Sequence, residues 1–229
     1  MNQVRLHTPS KPLDRDVADR FSRVTVSSIS DSLERMAGAV GVNVVGNSLS
    51  ALNGRAMVGS AMTVRTRPGD NLVVHKALDL ADPGDVLVID ARGELVNAIL
   101  GELMAEYAAT RGIAGLVVDG AVRDRESISS GQLPVFSKGF SHLGPYKSGP
   151  GEIHGTVTIG GVTVQDGDII VGDADGVVVV PRARALEALN AAERVVESEA
   201  HQQQAIRSGS WDRSWIDAVA QVVYIGEET

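Results

Sequence analysis

The sequence predicts a single α/β domain with a β-rich centre and a helical C-terminal arm. Three observations predict it. Strand-length apolar runs alternate with helix-length amphipathic segments between residues 56 and 136. Two glycine-punctuated hairpin patterns follow between 156 and 180, and one long helical pattern runs from about 183 to 207. No linker or low-complexity tract divides the 229 residues. One domain is therefore expected over 1–229, with a core of about 24–182 and an arm of about 183–229.

Taken in order, Leu13 to Gly38 reads as helical, with Ser27 or Ser30 as N-caps ahead of Asp31 to Met36. Gly41 to Asn53 reads as a turn-rich connection, and Ala56 to Arg65 as a strand of small residues. Pro68-Gly69-Asp70 turns the chain into a helix over Asn71 to Leu80. Pro83-Gly84-Asp85 leads into the buried strand Val86 to Asp90. Leu103, Met104, Tyr107, Ala108 and Arg111 fall at helical spacing, with Gly112 as the stop. Ile113 to Val118 is the next strand, a short helix after Asp124 ends at Gly131, and Pro134-Val135-Phe136 is another short strand. Gly160-Gly161 between two β-branched runs is a two-residue hairpin signal, and Gly172 to Gly176 marks a second hairpin. Pro181 closes the sheet region ahead of the long helix.

Hydrophobic residues make up 43% and charged residues 22%, while aromatics are only 3%, so the core must be built from Val, Ala, Leu and Ile. A formal net charge of -8 argues against a general nucleic-acid-binding surface. It leaves room for an acidic substrate, because local arginines can reverse the field inside a pocket. The absence of cysteine excludes disulfides, thiolate metal sites and cysteine nucleophiles. The N-terminus lacks the apolar core of a signal peptide, and no apolar run approaches the roughly 18 residues that span a membrane. A cytoplasmic location is expected.

The most informative stretch is Asp119-Gly120-Ala121-Val122-Arg123-Asp124. It follows an apolar run, and Gly120 reads as the strand's exit into a loop. Arginine grips a carboxylate in a bidentate way, and aspartate holds hard divalent cations. Side by side at a strand end, they suit a small, metal-assisted, acidic substrate. Competing features are weaker. Asp173-Ala174-Asp175-Gly176 lacks the rest of a calcium loop and reads as a hairpin turn. His75, His142 and His154 show no metal-ligand spacing, and His75, Lys76 and Asp79 read as a solvated helix face. A Schiff-base mechanism would need a desolvated lysine, and only Lys76 lies in a mostly apolar stretch. No Gly-rich strand–helix fingerprint for a nucleotide-like cofactor is present.

Gly101-Glu102-Leu103-Met104, Arg111-Gly112, Asp119 to Asp124, Pro134-Val135-Phe136 and Gly161 to Gly176 together resemble the RraA-like superfamily. That superfamily includes the 4-hydroxy-4-methyl-2-oxoglutarate/4-carboxy-4-hydroxy-2-oxoadipate aldolases. The resemblance spans roughly residues 24 to 210 and implies a swivelling β/β/α-type fold, with a sandwich- or barrel-like central sheet flanked by helices. It implies a class II aldolase that uses Mg²⁺ or Mn²⁺, releases pyruvate from a 4-hydroxy-2-oxo diacid and decarboxylates oxaloacetate. By the same resemblance Asp124 would bind the metal directly, with Glu102 and Glu199 acting through water. Glu102 stands where the aldolases have Asp, and Ser127 where an acid is usual. Arg123 would pair with the substrate carboxylate and the developing enolate oxygen, and Gly101 and the N–H groups of Leu103 and Met104 would cradle the pyruvyl carboxylate. Glu199 would reach a neighbouring subunit's site, which implies a homotrimer or homohexamer. The alternative the superfamily offers is a non-catalytic regulator that binds a ribonuclease.

Overall fold

The structure, a computed structural model, describes residues 3–34, 43–45, 49–223 and 225. In chain order the elements are β1 (Val4–Leu6), α1 (Arg15–Phe21), α2 (Val26–Glu34), β2 (Asn43–Val45), β3 (Ser50–Ala51) and β4 (Met57–Thr66). Next come α3 (Leu72–Leu80), β5 (Asp85–Leu100), α4 (Glu102–Thr110), β6 (Gly115–Val122), α5 (Arg125–Ser130) and β7 (Val135–Phe140). The chain continues through β8 (Gly151–Ile153), β9 (Val157–Ile159), β10 (Val162–Val164), β11 (Ile169–Asp173) and β12 (Gly176–Val180). A single 3₁₀ turn, Arg182–Arg184, then opens α6 (Ala185–Ser208), and α7 (Trp215–Val219) comes last.

Strands β4, β5, β6 and β7 lie side by side and parallel, each joined to the next through α3, α4 or α5. Right-handed crossovers that step in one direction place all three helices on one face. There Leu87, Ile89, Leu116 and Val118 meet Val74, Leu78, Met104 and Ala108. The alternate residues, Val86, Val88 and Val117, point the other way and pack against Val157, Ile159, Val162 and Val164 of the separate β9–β10 hairpin. Both faces are covered, which is why these strands read as continuous apolar runs rather than alternating ones. The β11–β12 hairpin extends the sheet antiparallel from β4, and its outer face carries α1, α2 and α6 on Ile169, Val171, Val178 and Val180. The architecture is therefore a mixed α/β fold with a large central sheet flanked by helices.

Several elements depart from the sequence reading. The expected helix from Leu13 is two helices, because Thr25 starts a second one. Its hydroxyl accepts from Ser28 N at 3.1 Å, while Asp173 Oδ2 accepts from Val26 N at 2.9 Å. Two N-terminal donors of α2 are thus satisfied ahead of Ser27 and Ser30, so neither of those serines is the cap. Residues 35–38 of that expectation lie outside the described residues. The connection over 41–53 contains the short strands β2 and β3, formed by pairing to β12 and β7. Strand β5 does not stop at Asp90. Arg92 and Gly93 adopt φ of 56° and 69°, the register against β6 slips, and the strand resumes to Leu100. Gly120 is not an exit either: β6 runs on to Val122, and a Cβ at Gly120 would sit 3.0 Å from Ala91 Cβ. That glycine serves close strand packing rather than a turn. Helix α7 is an element the sequence reading lacks.

Candidate active site

Adjacent parallel strands end together. Leu100, the last residue of β5, stands in register with Val122, the last of β6, and Arg123 N donates to Leu100 O at 3.0 Å. Each strand leads directly into a helix N-terminus: α4 from Gly101 and α5 from Asp124. The topology therefore brings Gly101 to Met104 beside Arg123 and Asp124 at the carboxyl end of the sheet, where parallel α/β sheets bind their ligands.

The approach of the two segments is close. A Cβ on Gly101 would collide with Asp124 Oδ2 and lie 2.8 Å from Arg123 Cγ. Gly101 is extended, so its role is steric clearance and not backbone freedom. Asp124 occupies the left-handed region at φ 56°, ψ 46°, a conformation aspartate tolerates better than most residues and one that recurs at functional sites. In this pose Asp124 Oδ2 accepts from Glu102 N at 3.1 Å and lies 3.5 Å from Arg123 Nε. The next two N–H groups of α4, on Leu103 and Met104, find no acceptor among the described residues, as expected for the first turn of a helix. Two free amides, a guanidinium and a half-exposed carboxylate thus converge at one helix N-terminus, which favours an anion.

A loop closes one side. Ser141 N donates to Val122 O, Ala98 N to Leu143 O, and Asn97 Nδ2 to Gly144 O. A Cβ on Gly144 would lie 3.1 Å from Arg123 Nη1, so this loop runs directly over the guanidinium. Its far end is tied down by the fully buried Asp70, whose Oδ2 accepts from Ser148 N at 2.8 Å and Gly149 N at 2.6 Å. Arg123 and Asp124 line a surface cavity of about 410 Å³ with Arg125, Phe140, Ser141 and His142. Arg125 is there as the neighbour of Asp124 in sequence, whereas Phe140, Ser141 and His142 reach the site only because β7 lies next to β6.

The remaining expected residues are placed as follows. Glu102 is half-buried; its backbone touches Asp124, while its side chain borders a cavity of about 440 Å³ between α4 and α5, with Ser127 and Ile128. Glu199 lies on α6 in a groove with Asp31, Ser32 and Arg194, against α2, and not among the residues around Asp124. Lys76 is solvent-exposed, and Asp173 and Asp175 form the β11–β12 turn, with Asp173 Oδ1 accepting from Asp175 N. His75 departs from the solvated face expected of it. It is half-buried, its Nε2 is buried, and burial first, then the Lys147 cation, holds its pKa below the usual histidine value.

Among the described residues no three His, Asp or Glu side chains are grouped to hold a metal ion. Mg²⁺ does not need such a cage: one or two carboxylates suffice, with water and substrate oxygens completing the octahedron. Asp124, whose Oδ2 is hydrogen-bonded while Oδ1 has no partner among the described residues, fits that requirement.

An α/β scaffold with an arginine, a carboxylate and free helix amides at a strand-end cleft is suited to a small anion. Residues 26–179 match the RraA-like family model, described as Aldolase/RraA, and the chain belongs to that family. A relative from Halalkalibacterium halodurans, provisionally named as a 4-hydroxy-4-methyl-2-oxoglutarate aldolase, is 38% identical over 192 residues, 83% of this chain and 89% of its own. A solved structure of an uncharacterised protein from Pseudomonas syringae pv. tomato superposes with a TM-score of 0.76 at 28% identity, covering 88% of this chain and 96% of the other. Streptomyces coelicolor RraAS2, described as an unusual member of the RNase ES inhibitor RraA family, superposes at 0.72 with 28% identity over 87% and 98%.

Proposed function

We propose that the chain is a divalent-metal-dependent lyase of the aldolase type. It cleaves a 4-hydroxy-2-oxo diacid, 4-hydroxy-4-methyl-2-oxoglutarate or 4-carboxy-4-hydroxy-2-oxoadipate, to pyruvate and a second oxo acid. Oxaloacetate decarboxylation is its side activity. The observation that carries this reading is the convergence of Arg123, Asp124 and the unpaired N–H groups of Leu103 and Met104 around Gly101. The relatives provisionally named as aldolases support the lyase class.

In this reading the amides of Leu103 and Met104 hold the 2-oxo acid's carboxylate at the N-terminus of α4. Asp124 would hold Mg²⁺ or Mn²⁺, with Glu102 acting through water from the first turn of α4. The bound cation supplies Lewis-acid polarisation of the α-keto acid. When the C3–C4 bond breaks, its electron pair moves to the pyruvyl half as an enolate, and Arg123 stabilises the charge that develops on that oxygen. The C4 hydroxyl loses its proton as the carbonyl forms, and C3 of the pyruvyl half gains one. Glu199 is held on α6, away from Asp124, so it contributes to a metal only from a neighbouring subunit. The protein then works as a homotrimer or homohexamer.

Purified protein should release pyruvate from these diacids with Mg²⁺ or Mn²⁺, lose that activity in EDTA, and lose it in Asp124→Asn while unfolding at the same temperature. No metal-dependent pyruvate release at any substrate concentration would sink the proposal. The likeness to RraAS2 favours one rival, a regulator that binds a ribonuclease. Capture of a purified ribonuclease by a chain with no turnover would establish that rival instead.

A further inference from the structure

Asn71 stands at the N-cap of α3, where an asparagine side chain ordinarily accepts from its own helix. Here it makes no such bond. Asp70 Oδ1 accepts from Leu72 N at 3.0 Å instead, and the Asn71 amide is turned to the neighbouring helix, with Nδ2 3.2 Å from Met104 Sδ. Asn71 is 2% exposed, yet among the described residues its Oδ1 has no hydrogen-bond partner. Buried polar atoms are almost always paired, so an orphan beside a helix N-terminus asks what fills it.

A second orphan lies one turn along. His75 Nε2 is likewise buried and unpaired. Residues four apart on a helix share a face, with Cβ atoms about 5–6 Å apart. Asn71 touches Met104, and Asp79 Oδ1 accepts from Tyr107 OH at 3.1 Å. His75 therefore sits between these two contacts, along the flank of α4 whose first turn offers the Leu103 and Met104 amides. The charged groups that act on it are Asp79 on its own helix, which also accepts from Tyr107 of α4, and Lys147 on the loop that passes Arg123.

We propose that Asn71 and His75 form a subsite for the hydroxyl-bearing half of the substrate. A hydroxyl satisfies both orphans at once: it donates to Asn71 Oδ1 and accepts from the Nε2–H tautomer of a neutral imidazole. The pair then distinguishes a 4-hydroxy-2-oxo acid, which carries that group, from oxaloacetate, which does not. The assignment rests on the lyase reading above and adds the residues that select its substrate.

The test measures kcat/KM for cleavage of 4-hydroxy-4-methyl-2-oxoglutarate and for decarboxylation of oxaloacetate, in wild type, Asn71→Leu and His75→Phe, alongside thermal unfolding. Each variant should lower the cleavage-to-decarboxylation ratio by about tenfold or more, since a missing partner for a substrate hydroxyl penalises only the substrate that bears one. The unfolding midpoint should hold or rise, because each substitution removes an unpaired buried polar atom. Should Asn71→Leu fail to fold, Asn71→Ser carries the same ratio test. A lower midpoint with an unchanged ratio is the signature of a structural asparagine and overturns the subsite alone. A wild-type chain that releases pyruvate from neither substrate overturns the lyase reading and the subsite together.

Discussion

At Gly101 the absence of one methyl group sets the geometry of the site. A Cβ there would occupy space held by Asp124 Oδ2 and Arg123 Cγ. Gly101→Ala should therefore displace both side chains and cost about 10²-fold in pyruvate release, with a nearly unchanged unfolding midpoint. Arg123→Lys keeps the charge but loses the planar fork, and a drop of about 10²-fold in kcat is expected; unchanged kinetics would remove Arg123 from the chemistry. Asp85 carries a prediction of a different kind. Burial first, and the nearby Asp82 and Asp166 carboxylates, raise its pKa from 3.8 to about 6, against a hydrogen bond from Asp82 N. Between those values the unfolded chain ionises this group and the folded chain resists. The stability present below about pH 4 is thus lost as pH rises through 6. Asp85→Asn should leave stability at pH 4 nearly unchanged and raise it by about 1–2 kcal/mol at pH 7.5, after discounting for partial exposure. Urea titrations at the two pH values check the sign.

Among the elements, α6 shows how little of a long helix needs to be apolar. Only its first two turns are buried, through Ala185, Ala188, Leu189, Ala191 and Ala192. These rest on α2 and on Val178 and Val180 of β12. The small residues let the helix lie close, and Leu189 supplies the one large fully buried side chain of the set. Leu189→Ala should cost about 2–4 kcal/mol, read as a lower urea midpoint at constant m. The Arg20–Glu193 pair, at 2.7 Å between α1 and α6, is partly exposed, and breaking it should leave the urea midpoint nearly unchanged. Hairpins were legible in the sequence because Gly160-Gly161 and the Asp173 to Gly176 turn are local chemistry. The split between α1 and α2 was not, because the Thr25 start is completed by Asp173, a residue brought there by tertiary packing.

Across the whole molecule, a chain of net charge -8 exposes several large apolar side chains on the segments that meet at the site. Leu95, Val96, Leu103, Phe140, Leu143 and Tyr146 are all substantially exposed on β5, on β7 and on the segments that follow those two strands. Such a patch suits contact between copies, consistent with the proposed oligomer in which Glu199 comes from a neighbour. Sedimentation equilibrium should give a mass three or six times that of the chain, and Val96→Glu should shift the population toward monomer. A monomer at micromolar concentration would remove Glu199 from the site. In the described residues no helix is long and apolar enough to cross a membrane.

The sequence by itself determined the strand–helix alternation, the two glycine hairpin turns and the choice of Arg123 and Asp124 as the candidate pair. All three rest on local periodicity and side-chain chemistry. Tertiary structure decided what surrounds the pair. Gly101 meets Asp124 because Leu100 and Val122 end adjacent parallel strands, and Gly144 passes over Arg123 because β7 flanks β6. Asn71 turns to Met104 because α3 and α4 pack on the same face. None of these contacts leaves a trace in residue spacing, since each depends on a strand register set by pairing across the sheet.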